Sequence, residues 1–218
     1  MDYYLSQICY LDSIDSNSKN IERILNFMKL DHVLTEIDNI NRQDPNSVEH
    51  NGESAPKELI YGHQMSECLK AHWPDASEYL QIAVRAQHIK RWHIPRADYP
   101  LGKAGYLAWR KALGEFHATT TAQIMRDNGY SDEESENVAA ILRKEKLKKN
   151  PDTQTLEDVA CLVFLQHYFE GFAAKHSEEK IISILQKTWR KMSAKGHEIA
   201  LTYQLPQHLA TLVEKALS

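Results

Sequence analysis

An all-α fold is what the sequence predicts, on three observations. Glycine and proline are scarce, 8 and 7 among 218 residues, which suits long helices better than a turn-rich sheet. Apolar residues recur at spacings of three and four through most of the chain. No two segments alternate in the way that a convincing strand pair requires.

The elements follow in order. In SNSKNIERILNFMKL, Ile21, Ile24, Leu25 and Met28 share one helical face. Asp31 opens a second helix, DHVLTEIDNINRQ, with Leu34, Ile37 and Ile40 inward and Asp44-Pro45 as its stop. DPNSVEHNGESAP is polar and turn-forming and reads as a long surface loop. KELIYGHQMSECLKAH is helical. Asp75 and Glu78 make a capping box for DASEYLQIAVRAQHIKRWH, a helix ending before Pro95. The loop IPRADYPLGKAG leads to a helix that runs to Asn128, with Gly129 as its left-handed cap. Ser131 and Glu134 form another capping box. The apolar helix LEDVACLVFLQHYFEGFAAKH is expected at the centre of the bundle. Ser177 opens a helix with Ile181, Ile184, Leu185, Thr188 and Met192 on one face, and two shorter helices follow, the last with Pro206 in its first turn.

Composition narrows the function. A net charge of -4 argues against non-specific nucleic-acid binding. No apolar run reaches the roughly 18 residues of a membrane span, and MDYYLSQICYLDS lacks the pattern of a secretory signal, so the cytoplasm is the expected compartment. Cys9, Cys68 and Cys161 show no CxxC spacing and read as reduced thiols. Residues 1–60 carry 11 acidic and five basic side chains, whereas Arg85, Lys90, Arg91, Arg96, Lys103, Arg110 and Lys111 face Asp98 alone between residues 85 and 111. A basic region in an acidic protein points to a small anionic ligand rather than a polyanion.

Within that region, His88 and His117 lie 29 positions apart, and Asp158 follows 41 later, each on a different predicted helix. An inward-facing Asp158 costs several kcal/mol unless a cation or donors compensate. A metal or Arg85 fits that need. In an exposed first turn the same residue merely favours the helix dipole. Either histidine alone is more simply a buried one bonded to a carbonyl. Gly114 and Arg110, one and two turns before His117, and Arg85, three before His88, place space and an arginine on each histidine's stripe.

RAQHIKRWHIPRADYPLGKAGYLAWR, LEDVACLVFLQHYF and KTWRKMSAKGHE resemble domain of unknown function 4202, a family associated with the HD-domain superfamily of metal-dependent phosphohydrolases; the resemblance spans residues 31–218. It implies an HD-domain-like helical bundle preceded by an extension, residues 1–30, with three readings: a cap, a dimerisation arm or a mobile segment. It places His88 at the superfamily's first histidine, His117 at the histidine of its doublet and Asp158 at its last aspartate, with Ala118 where the doublet has aspartate. The implied cofactor is one divalent ion, Mn, Co, Ni, Mg, Zn or Fe. Arg85, Arg91, Arg96, Arg110 and Lys144 are the expected anion-binding residues of a small phosphorylated ligand. A nucleotide would stack on Trp92 or Tyr106. Beyond the ligand, a homodimer mate is a candidate partner. The expected activity is phosphohydrolase; the alternatives are a degenerate domain that binds an anion or protein without turnover, and a non-haem iron oxygenase.

Overall fold

The computed structural model describes residues 28–218, and the helix expected before Asp31 lies largely outside them. The first described helix, α1, covers residues 28–41 without a break at Asp31. Val33 and Ile37 on its inner face are fully buried, one turn apart as the helical period requires.

The polar stretch that follows is a hairpin rather than a loop: β1 (Ser47–His50) pairs antiparallel with β2 (Glu53–Pro56), Ser47 opposite Pro56. Asn51 and Gly52 join them, both at positive φ (53° and 81°), the two-residue turn whose twist matches that of the strands. The Asn-Gly pair is a hairpin signal that the reading of this stretch as a polar surface loop passed over.

Helix α2 (Lys57–His72) begins where expected. Its first turn is capped from a distance, by Asp44 Oδ2 accepting from the Glu58 N–H at 2.9 Å. Helix α3 (Glu78–Ala86) starts at Ser77, whose hydroxyl accepts from Leu80 N at 3.2 Å, and not at Asp75. It also stops early. After Ala86 the chain turns through Lys90 at φ 49° into short 3-10 turns, Arg91–His93 and Arg96–Asp98. Asn41 of α1 enforces that turn, its Oδ1 accepting from Lys90 N at 2.9 Å and its Nδ2 lying 3.5 Å from Glu58 O.

Helix α4 (Gly102–Asp127) ends with Asn128 and Gly129, the latter at φ 83°, and α5 (Asp132–Leu142) starts on the complete Ser131/Glu134 capping box. Helix α6 (Pro151–Val163) takes Asn150 as its cap and Pro151 as its first residue. One π-helical turn, Phe164–Tyr168, carries it into α7 (Phe169–Ala173). Helices α8 (Glu178–Lys191), α9 (Ala194–Ala200) and α10 (Gln207–Leu217) complete the chain.

The main core gathers α1 to α6 around Met65, Ile82, Val84, Met125, Leu156 and Leu162. A smaller cluster, with Leu165, Phe169, Ile181, Leu185 and Leu209, ties α8 and α10 to the π-helical turn and α7. Helix α6 contributes to the main core along most of its length, so its position as the expected central helix holds. No helix among the described residues is long and apolar enough to cross a membrane.

Candidate functional site

The early end of α3 places His88 on the turn beyond that helix, not on its surface. There the imidazole stacks on Tyr61 of α2, ring centres 3.9 Å apart and planes inclined by 12°. Its Nδ1 lies 3.0 Å from Oε2 of Glu58, a carboxylate only 6% exposed. Burial pushes the Glu58 carboxyl upward, against the pull of Arg91 and Lys57. Burial and then Arg91, Arg110, Lys144 and Lys57 hold His88 well below the usual imidazole range, so it is neutral at pH 7. When Glu58 is ionised, the hydrogen-bond pattern assigns the proton to Nδ1 and leaves Nε2 as the acceptor.

His117 sits in the middle of α4, 2% exposed, its ring centre 6.2 Å from that of His88. Neither of its nitrogens has a hydrogen-bond partner among the described residues. Burial first, then His88, Arg91 and Arg110, keep it neutral as well. A shielded imidazole with both nitrogens unmatched costs free energy. His117→Leu is therefore expected to raise stability by about 1–2 kcal/mol in urea denaturation; a loss of stability would show that the ring is satisfied in solution.

Two adjoining spaces meet at His88. The larger, about 400 Å³, is walled by α2, α4, α6 and α8; the smaller, about 80 Å³, reaches His117 past Gly114. Arg91, Arg110 and Lys144 line both. A Cβ at Gly114 would meet only Leu142 O, at 3.9 Å, so the helix is open on that side. Arg91 rests over the Trp109 ring with its guanidinium carbon 4.8 Å from the centroid, and burial, with Arg110 adding to it and Glu58 opposing, pushes its pKa down. Among the described residues neither Arg91 nor Arg110 has an ion-pair or side-chain hydrogen-bond partner. Lys57 at the rim is in the same condition.

Glu157 marks the opposite wall. It is 7% exposed and is gripped by Lys144 and, at 3.3 Å, by Lys191. Burial opposes its ionisation, but the two ammonium groups prevail and hold it at about 2. Tyr106, 45% exposed, stands at the mouth, and Phe164 and Tyr168 of the π-helical turn add aromatic wall. Tyr168 is fixed by its hydroxyl donating to Gln64 at 2.7 Å.

Several expected site residues are elsewhere. Asp158, 1% exposed, lines neither space: its carboxylate accepts from Ser193 N (2.8 Å), Ser193 Oγ (2.5 Å) and Gln154 Nε2 (3.1 Å). It clamps the start of α9, and the triad with His88 and His117 is not assembled. Arg85 pairs with Asp38 at 3.5 Å and does not line the site. Both Arg96 Nη groups are spent on Tyr99 O and Pro100 O at 2.8 and 2.9 Å, locking the loop before α4. Trp92 lines neither space. The sequence reading in turn missed Glu58, Glu157, Tyr61 and Tyr168. Their partners lie 30 or more residues away, or across helices, beyond what spacing reveals.

As a metal centre the donor set falls short. Two imidazoles face a ring of cations, and among the described residues no group of three or more His, Cys, Asp and Glu side chains is placed to hold an ion. The residues present do not fit the three-ligand site that the resemblance implies.

The charge states predict a pH profile. Unfolding frees both imidazoles to protonate near their ordinary 6.5, so their contribution is present above that pH and is lost as pH falls below it. Glu157 acts lower: its folded value near 2, against 4.5 unfolded, supplies stability present above 4.5 and lost towards 2. Glu58, raised, works the other way and gives up its contribution as pH rises. Tm should thus be level above about pH 7 and decline on acidification in two stages, the first reduced in His117→Leu. A Tm that stays level from pH 7 to 5 would sink this assignment of charge.

A search of curated proteins gives no match, and a search of solved structures gives none either. A family model described as Domain of unknown function (DUF4202) matches residues 31–213, from within α1 to within α10. With that match covering most of its length, the chain belongs to the DUF4202 family.

Proposed function

We propose that the chain binds a small phosphorylated metabolite in the two joined spaces beside His88. The carrying observation is the pair of arginines, Arg91 and Arg110, that line both spaces without a carboxylate partner among the described residues. Like charges are gathered at a cost unless an anion joins them, and planar guanidinium forks suit phosphate oxygens. The larger space, about 400 Å³, is of a size for a nucleotide-scale ligand, with Tyr106, Phe164 and Tyr168 available to a base.

Hydrolysis of that ligand is the second reading, favoured by the His88–Glu58 pair. Through Nδ1 the imidazole is oriented by Glu58, and Nε2 is then free to accept a proton from an attacking water. Arg91, Arg110 and Lys144 would take up the charge that develops on the phosphoryl oxygens. Binding without turnover is the reading favoured by Asp158, which is committed to Ser193, and by Ala118, fully buried where the HD pattern has a carboxylate. Kinship with the HD superfamily remains a proposal resting on the order of the three residues, and an iron oxygenase loses the same carboxylate.

The test is calorimetric titration of the full chain with nucleotides and sugar phosphates, beside their dephosphorylated counterparts, followed by phosphate-release assays with and without Mn, Co, Ni, Mg, Zn or Fe. Phosphate-dependent binding is expected, and His88→Gln should keep it while losing any metal-free release. Equal binding of the dephosphorylated compounds, or none at all, rejects the reading. Release that depends on an added ion and on both histidines would restore the metal.

A further inference from the structure

A second cavity, about 350 Å³, opens between α1, α2 and α3 and shares no lining residue with the first. Its apolar wall is Leu34, Leu69 and Trp73; its charged lining residues are Lys70 and Arg85, with no carboxylate among the residues that form it. Arg85 is the unusual component. Its side chain is 16% exposed, and Nε and Nη1 are shielded from solvent without a hydrogen bond. Its one ion-pair partner among the described residues, Asp38, lies 3.5 Å away and is shared with His63, which holds the other carboxylate oxygen at 3.1 Å.

A guanidinium carries five N–H donors and keeps its charge. A settled structural arginine at this depth would direct several of them at carbonyls or carboxylates, as Arg96 does. Arg85 directs none at a described residue in hydrogen-bonding geometry. The helices pack tightly around it: a Cβ on Gly62 of α2 would stand 3.1 Å from Arg85 O and 3.3 Å from its Cδ, so a side chain there would press on Arg85.

We propose that this cavity is a separate binding site for a monocarboxylate with an apolar body, its carboxylate on Nη2 of Arg85, the guanidinium nitrogen that is neither shielded nor hydrogen-bonded to a described residue, and its body against Leu34, Leu69 and Trp73. The charge balance selects a single negative charge. Asp38 and, less strongly, Glu67 already offset part of Arg85, and Lys70 lies at the exposed edge, in contrast to the unpaired arginines of the first site. An apolar wall beside a single accessible guanidinium nitrogen suits a carboxylate on a hydrocarbon or aromatic frame. The phosphate proposal does not enter this argument, so either can fail alone.

The experiment uses the full chain with 1-naphthoate as probe, its uncharged amide as control, and calorimetry or ligand-observed NMR as readout. Saturable binding of the carboxylate with a Kd of about 1 mM or tighter is expected, and none of the amide. Arg85→Gln should weaken it about tenfold or more. Ser66→Phe, which fills the cavity and leaves Arg85 and Asp38 in place, should abolish it, and carries the test alone if Arg85→Gln does not fold. The Arg91→Gln/Arg110→Gln variant should bind the probe as the wild type does. No saturable binding to the folded protein, equal binding of the amide, persistence in Ser66→Phe, or loss in the first-site variant overturns the proposal.

Discussion

Asp158→Ala should lose about 3 kcal/mol of folding stability, measured by urea denaturation, because three donors are left behind in a nearly dry place. Ser193 is the centre of the effect. Its Oγ accepts from Gly196 N at 3.1 Å to cap α9, while its N–H and hydroxyl both donate to Asp158. Removing the carboxylate therefore frees the cap as well as the donors. Asp158→Asn, which keeps acceptor oxygen, should lose about half as much. Gly196→Ala should act through the same contact, since a Cβ there would lie 2.8 Å from Asp158 Oδ1. The Asp158→Ala and Gly196→Ala effects should then sum to more than the double variant shows. An Asp158→Ala protein as stable as wild type, yet defective in metal or ligand binding, would return Asp158 to the functional site.

Arg91→Gln and Arg110→Gln should each weaken binding of a phosphorylated ligand about 10- to 100-fold, and together by about a thousandfold or more. Their effect on the free protein should be small and of opposite character. Each removes one of two unpartnered like charges near two imidazoles that burial and those charges keep neutral. Relief of repulsion offsets the loss of the Arg91–Trp109 contact, so stability should stay within about 1 kcal/mol of wild type. Calorimetry gives the first quantity and urea denaturation the second. Binding that survives the double change would move the anion elsewhere, and a large loss of stability would make these arginines structural.

The helices were legible because they obey one period and standard punctuation. Lys57–His72 and the Ser131 start emerge where the pattern puts them, and the stripe that joins Arg110, Gly114 and His117 holds because α4 is continuous through all three. The same logic failed for Arg85 and His88. Their spacing of three places them on one stripe only if the helix persists, and it ends at Ala86 under the pull of Asn41, a residue 49 positions from its acceptor's partner Lys90. Of the two readings that spacing left open for Asp158, an inward position or an exposed first turn, the inward one holds. Gln154 on its own helix supplies one donor, but the other two come from Ser193, 35 residues later, and nothing local distinguishes a serine from a metal as the answer. Glu58 and Glu157 carry no local sign of their partners, since His88 meets the first from the turn beyond α3, and Lys144 and Lys191 meet the second from outside its own helix.

Asn41 carries one more implication. Its amide reaches the first turn of α2 and the left-handed turn at Lys90 together, so the segment that presents His88 and Arg91 is set by a side chain of α1. In terms of where the protein can be cut, the hairpin at Asn51 and Gly52 looks like a natural seam, yet a fragment beginning there would keep α2 to α10 and lose both the share of the core that α1 supplies and the template for the turn that carries His88 and Arg91. The smallest piece that can work must therefore begin upstream of residue 41, as the family match, starting at residue 31, also does.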